Sequence, residues 1–230
     1  MEAALIRKLN TEQSRYFYDT LYPIQDKVLS LFEDELFYLT GGTCLSRFYY
    51  HHRFSEDLDF FYDGSLHPLY QFEIDFSRMI KKIQELFSIE VTINSSNFKR
   101  VFCKSESANL KIEFIYEPYS RIGSAVKKNN YFIDTKDNIA VNKLTAIYTR
   151  KTAKDYFDLY FLLKEFALYE LLEETKVKII PPAYEELIIA LKESIFEGEI
   201  ITDQDYSLDD FKKFIESLIL SILQYAKSKK

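Results

Sequence analysis

Tryptophan is absent from this chain, and cysteine, histidine and glycine are scarce: two, three and five in 230 residues. Two cysteines, Cys44 and Cys103, cannot build a disulfide framework, and with three histidines they cannot build a classical zinc finger. Cys44 lies inside an apolar run and reads as a small buried hydrophobe. Long apolar runs are missing too. Nothing approaches the ~20 residues of a membrane-spanning helix, and the first eight residues lack the core of a secretion signal. The expectation is a soluble, cytoplasmic protein in a reducing compartment, without a membrane partner and by default monomeric. Nor is there an excess of positive charge: 30 Lys and Arg face 36 Asp and Glu, a net charge of −6. A protein that coats duplex nucleic acid is therefore disfavoured. Local basic groups (Lys99, Arg100, Lys104; Arg121, Lys127, Lys128; Arg150, Lys151, Lys154) still leave room for an RNA-binding patch.

What the chain has is apolar and aromatic bulk. Hydrophobic residues make up 47%, with 20 Phe and 18 Tyr, enough to fill a sizeable core. Helical spacing runs from Thr11 to Leu31, with Pro23 as a kink or break. Leu36–Leu39 reads as a buried strand that runs into Gly41-Gly42, and Thr43–Tyr50 as the helix that opens from it. His51 and His52 read as loop polarity. Strands are predicted at 58–62, 89–94, 98–104 and 110–116, with a helix over 66–87 between the first two. After about residue 135 only helical signals remain: 137–149, 153–168, 183–195 and 207–227, with Pro181-Pro182 separating one pair and Ser207 starting the last. Strands with helices, then helices alone, predict an α+β fold in two parts: a domain over 1–135 with a mixed sheet and a C-terminal helical domain over 136–230.

The chemistry concentrates in two stretches. In Thr40-Gly41-Gly42-Thr43, glycines let backbone approach an anion, a following helix start offers unpaired N–H groups, and the Thr43 hydroxyl can donate to a phosphate oxygen. Shortly after, Asp57 and Asp59 alternate with apolar residues, which points both carboxylates to one face of a strand. Two carboxylates that close repel, and a cation relieves them; Mg²⁺, with its preference for hard oxygen ligands, suits the pair. Glu113, in the middle of a later strand, is a candidate third metal ligand, and three converging carboxylates can hold two ions for phosphoryl transfer. Farther on, Lys143, Arg150, Lys154 and Asp158 fall on one stripe if their helix is continuous; alternatively Thr152 caps a second helix with Asp155 at its third position.

Taken together these residues resemble the AbiEii-type nucleotidyltransferase family. The resemblance rests on Gly41-Gly42-Thr43-x-Leu45-x-Arg47, on Arg53-x-Ser55-x-Asp57-x-Asp59-Phe60, on Lys143-x-x-Ala146 with Arg150, and on Lys154-Asp155-x-x-Asp158-Leu159. It implies a polymerase-β-like nucleotidyltransferase fold, an NTP donor, Mg²⁺ (or Mn²⁺), and the toxin's place in a type IV toxin–antitoxin or abortive-infection system, with an antitoxin protein as partner. Relatives of this kind add nucleotides to tRNA 3′ ends, so the implied acceptor is tRNA. Carried over, Asp57 and Asp59 bind metal, and Gly41, Gly42, Thr43, Arg47, Ser55 and Arg150 contact the nucleotide. Lys143 holds its phosphates, and Asp155 or Asp158 completes the catalytic set if Glu113 does not. Two other readings stay open: transfer to a protein or a small molecule such as an aminoglycoside, and a non-catalytic nucleotide-binding module.

Overall fold

The computed structural model describes residues 5–150, 152–178, 184–192 and 198–228. In chain order the elements are β1 (Leu5–Lys8), α1 (Thr11–Arg15), α2 (Tyr22–Leu29), β2 (Phe37–Thr40), α3 (Gly41–Leu45), β3 (Leu58–Asp63), α4 (Leu69–Gln84), β4 (Ser88–Asn94) and β5 (Phe98–Lys104). They continue with β6 (Asn109–Glu117), β7 (Val126–Lys128), β8 (Tyr131–Ile133), α5 (Lys136–Thr149), α6 (Ala153–Leu162), α7 (Leu168–Glu174), α8 (Tyr184–Lys192), β9 (Glu199–Thr202) and α9 (Leu208–Ser228). The chain forms two compact units: Asn10–Phe48 with Ser55–Thr135, and Met1–Leu9 with Tyr49–Phe54 and Lys136–Lys230. No helix among the described residues is long and apolar enough to cross a membrane.

The first unit is built on a seven-stranded mixed sheet in the order β4-β5-β6-β3-β2-β8-β7. β3 pairs in parallel with β6, and β2 in parallel with β8, while the remaining neighbours are antiparallel. Alternation decides which face each strand buries. Leu58, Phe60 and Tyr62 of β3 are buried, as are Leu110, Ile112 and Phe114 of β6, while Asp59, Lys111 and Glu113 between them are half-buried. Phe72, Phe76, Met79, Ile80 and Ile83 make the buried stripe of α4 at helical spacing. With no indole available, phenylalanine fills the core: Phe32 stacks on Phe60 at 3.9 Å between ring centroids, and Phe60 on Phe114 at 5.7 Å.

Pro23 does interrupt the first helix, in a specific way. Residues Tyr16–Leu21 widen into a π-helical stretch, and the Tyr22 N–H bonds back to the Phe17 carbonyl before Pro23 opens α2 near its first position.

The second unit is mostly helical, which corrects the expectation of helices alone after residue 135. β9 pairs in parallel with β1, and the Phe54 N–H donates to the Ile201 carbonyl at 2.8 Å, tying the 49–54 segment to this unit. The four residues Glu199–Thr202 are too few to show a strand period. The predicted 153–168 helix ends at Leu162, and a separate helix follows from Leu168. The Asp210 N–H bonds to the Ser207 hydroxyl at the start of α9. Pro181-Pro182 and the terminal Lys229 and Lys230 lie outside the described residues.

Candidate functional site

In the sheet unit, the chain leaves β2 at Thr40 and turns at Gly41, whose φ is +68°. A side chain there would collide with the strand opposite: a Cβ on Gly41 would lie 2.8 Å from the Asp59 carboxylate. Glycine is thus required twice, for the left-handed backbone and for the room that the Asp59 carboxylate fills. Thr43 is 1% exposed. Its hydroxyl donates to the Asp57 carbonyl and lies 2.8 Å from the Ser55 hydroxyl. Instead of pointing to solvent, it pins the 55–57 approach to β3 against the turn. Gln25 fixes the same approach by donating to the carbonyls of Ser55 and Glu56. The Gly41-Gly42-Thr43 motif and the Asp57/Asp59 pair therefore form one piece of architecture.

The carboxylate face is completed by β6. Asp59 is the register partner of Glu113, and Leu58 of Ile112. Lys111 reaches Asp57 at 2.7 Å and Glu113 at 3.5 Å. Arg100 also grips Glu113, through its Nε and a terminal nitrogen, each at 2.7 Å. Burial pulls the Lys111 pKa down, but the hydrogen-bonded Asp57 carboxylate, with Glu113 and Asp59 near by, outweighs it and the net shift is upward. Lys111 is thus a firm cation. Among the described residues, no three carboxylate, imidazole or thiolate groups converge as a metal-holding set. Glu113 shares the face but gives its charge to two cations. Asp57 and Asp59 suit Mg²⁺ as a pair: hard oxygens, one backed by the Gly41 turn, with a cation already drawn to the other. One or two protein carboxylates, with the rest of the shell from water and substrate phosphate, is the usual Mg²⁺ arrangement.

Arg47, expected at the nucleotide, is engaged within the unit. It bonds to Asp26 at 2.7 Å and Gln25 at 3.1 Å and lies over the Tyr22 ring. The basic group near residue 100 is likewise spent: Lys99 bonds to Glu73, Arg100 to Glu113 and Lys104 to Glu90. Lys127 and Lys128 are exposed on β7, at the end of the sheet.

In the helical unit, α5 ends at Thr149 and α6 starts at Ala153, so two helices are found rather than one; Thr152 stands at the N-cap position, but its hydroxyl turns to the Asp155 carboxylate and caps no backbone N–H. The break turns Asp155 and Asp158 toward Lys143. The Lys143 ammonium lies 2.7 Å from Asp155 and 2.6 Å from Asp158. Asp155 also receives the Arg150 fork at 2.8 and 3.0 Å and the Thr152 hydroxyl at 2.6 Å. Asp158 receives the Arg53 fork at 2.6 and 2.8 Å and His52 Nε2 at 2.7 Å. Desolvation pushes both aspartates' pKa values up, but the surrounding cations win and hold them low, Asp158 well below its ordinary value. Desolvation dominates at His52 and lowers its pKa, so the ring is neutral at pH 7 and donates from Nε2 to the carboxylate. Its Nδ1 is buried without a hydrogen-bond partner.

His52, whose sequence context suggests only loop polarity, is fully buried and stacks on Phe157. No local pattern announces this, because Asp158 lies 106 residues away. Lys151 lies outside the described residues.

Residues 27–126 match the family described as nucleotidyl transferase AbiEii toxin, type IV toxin–antitoxin system, a span that holds the whole carboxylate face. An uncharacterized protein of Aquifex aeolicus strain VF5 is 33% identical over 162 residues, 70% of this chain and 69% of that protein. The solved structure of JHP933 from Helicobacter pylori resembles this one with a TM-score of 0.59 at 18% identity, covering 91% of this chain and 93% of that one. The nucleotidyltransferase toxin MenT4 of Mycobacterium tuberculosis H37Rv gives 0.56 at 15% identity, covering 88% of this chain and 82% of its own. At such identities the two structures speak for the fold: an α+β nucleotidyltransferase architecture with a mixed sheet and C-terminal helices. Joined to the family match and the Aquifex relative, they lead to the conclusion that this chain belongs to the AbiEii family of nucleotidyltransferase toxins of type IV toxin–antitoxin systems.

Proposed function

We propose that this nucleotidyltransferase moves a nucleoside monophosphate from an NTP to the 3′ end of a tRNA, with Mg²⁺ held by Asp57 and Asp59, and that an antitoxin protein opposes it. The observation that carries the reading is the Asp59 carboxylate seated on Gly41, which joins the phosphate-type turn and the acidic strand in one unit. In the reaction, the acceptor hydroxyl oxygen forms a bond to the α-phosphorus, the bond to the pyrophosphate oxygen breaks, and the hydroxyl proton is released. Mg²⁺ bound there would acidify that hydroxyl and neutralise the leaving pyrophosphate. The chain's own part is preorganisation. Gly41 and Gly42 keep side chains away from the phosphates, Thr43 and Ser55 fix the strand entry, and Asp57 and Asp59 present hard oxygens on one face. Lys143, Asp155 and Asp158, with Arg150, enter as a network that shapes the helical unit.

The test is label transfer. Purified protein is incubated with Mg²⁺, total bacterial tRNA and each α-labelled NTP in turn, beside Asp57→Ala. Label on tRNA from one NTP, lost in Asp57→Ala with its circular dichroism unchanged, is the expected result. Activity surviving in Asp57→Ala would overturn the site. Asp57-dependent NTP binding without label on RNA would overturn the tRNA acceptor and point to a protein or small-molecule hydroxyl.

A further inference from the structure

We infer that Lys111 is the resident counter-cation of the carboxylate face: it holds Asp57 while no divalent ion is bound, and must release it before one binds. This rests on the reading of Asp57 and Asp59 as metal ligands. Three observations support it. The Lys111 ammonium lies 2.7 Å from Asp57 Oδ2, on the carboxylate read as a metal ligand. Glu113, which Lys111 also approaches at 3.5 Å, is already gripped by Arg100 at 2.7 Å, so of these two pairs the one with Asp57 takes most of the Lys111 charge. Release is also structurally cheap. The two side chains are 28% and 42% exposed, Lys111 has a flexible four-carbon stem, and half-exposed pairs add little to fold stability.

The consequence is competition. A divalent ion on Asp57 and a lysine ammonium on the same carboxylate repel at contact range, so part of the ion's binding free energy goes to moving Lys111. Metal affinity is then set lower than the two carboxylates alone would give, and the face stays neutralised between turnovers. Other cross-strand pairs of the same sheet, such as Lys104 with Glu90, do not touch the candidate ligands and serve as controls.

The experiment is a Mn²⁺ titration of the full chain without nucleotide, followed by electron paramagnetic resonance. It compares wild type, Lys111→Met, Lys111→Arg, Lys104→Met and Asp57→Asn, with thermal melting in chelator to verify folding. Lys111→Met is expected to bind Mn²⁺ about tenfold or more tightly, since one unit of charge is removed at contact distance. Lys111→Arg, which keeps the charge, and Lys104→Met, which removes a distant one, should match wild type, and Asp57→Asn should lose the site. Asp57-dependent binding that is unchanged or weaker in Lys111→Met would overturn the inference and leave the metal reading standing. Absence of Asp57-dependent binding in both wild type and Lys111→Met would overturn the two together.

Discussion

Each unit of this protein carries a cluster of aspartates and basic side chains, and the two clusters differ in kind. In the helical unit Asp155 and Asp158 are 1% and 0% exposed, and Arg53, Lys143, His52 and Thr152 meet their oxygens. In the sheet unit Asp57 is 42% exposed at its side chain, and Lys111 holds it from the rim. Full burial demands full pairing, because an unpaired charge in a low-dielectric interior is costly. A half-open carboxylate face is under no such demand and can exchange its cation. The first arrangement suits a scaffold, the second a site that binds and releases.

The sharpest way to break this comparison is to remove one acid from each cluster. Asp158→Ala takes the buried carboxylate away from Arg53 and leaves Lys143 with Asp155 alone of its two, and should cost about 3–5 kcal/mol in urea unfolding. Asp57→Ala should stay within about 1 kcal/mol of wild type while abolishing transfer. Equal costs in the two variants would show that burial does not separate the clusters.

Acid should reveal the same contrast more gradually. The His52 pKa is lowered from 6.5, so below pH 6.5 the unfolded chain takes up a proton that the folded chain refuses, and stability falls with pH. Asp155 and Asp158 are held below 3.8, so their contribution is complete above that value and is lost as pH drops through their folded pKa values. Lys143, raised above 10.5, contributes fully below 10.5 and loses its effect as pH rises through its folded pKa. Melting temperature should therefore fall in two acid steps, and Asp158→Asn should flatten the lower one. A single step, or a lower step unchanged by that variant, would mean that the buried network does not set the acid limit.

Much of this was legible in the sequence because the signals were local. Alternation around Leu58–Tyr62 and Leu110–Tyr116 placed both strands, set Asp57 and Asp59 on one common face, and put Glu113 on the face opposite Leu110, Ile112 and Phe114. Two adjacent glycines marked the turn. What escaped depended on long-range pairing. β1 and β9 are four residues each and find one another across nearly the whole chain. His52 is buried by Asp158 and Phe157, more than a hundred residues on. The partners of Arg47 and Lys111 were equally out of sight: a motif shows that a charge is present, while the fold decides what it neutralises.

Two glycines offer a finer probe of the open cluster. Gly41 and Gly123 both have positive φ, +68° and +72°. A Cβ on Gly41 meets the Asp59 carboxylate at 2.8 Å, whereas on Gly123 it meets Thr135 at 3.4 Å, an ordinary contact. Both alanine variants should lose about 1–3 kcal/mol to backbone strain. Only Gly41→Ala should also weaken Mn²⁺ binding and slow transfer, because only there must a candidate ligand move. Equal effects on metal affinity would sever the turn from the acidic strand.

The smallest expected effect lies where the two kinds of cluster meet in one residue. Arg150 belongs to the buried network by its partner, Asp155, but its own side chain is 59% exposed. If exposure decides, Arg150→Gln removes a rim charge and should cost under about 1 kcal/mol, with most of the loss erased by salt. Asp155 would keep the Lys143 ammonium at 2.7 Å and the Thr152 hydroxyl at 2.6 Å, so no buried oxygen is stripped of all its partners. If membership decides, the cost should approach that of Asp158→Ala and resist salt. Urea unfolding at low and high ionic strength separates the two, and a large, salt-independent loss would show that the network extends its demand for pairing out to the surface.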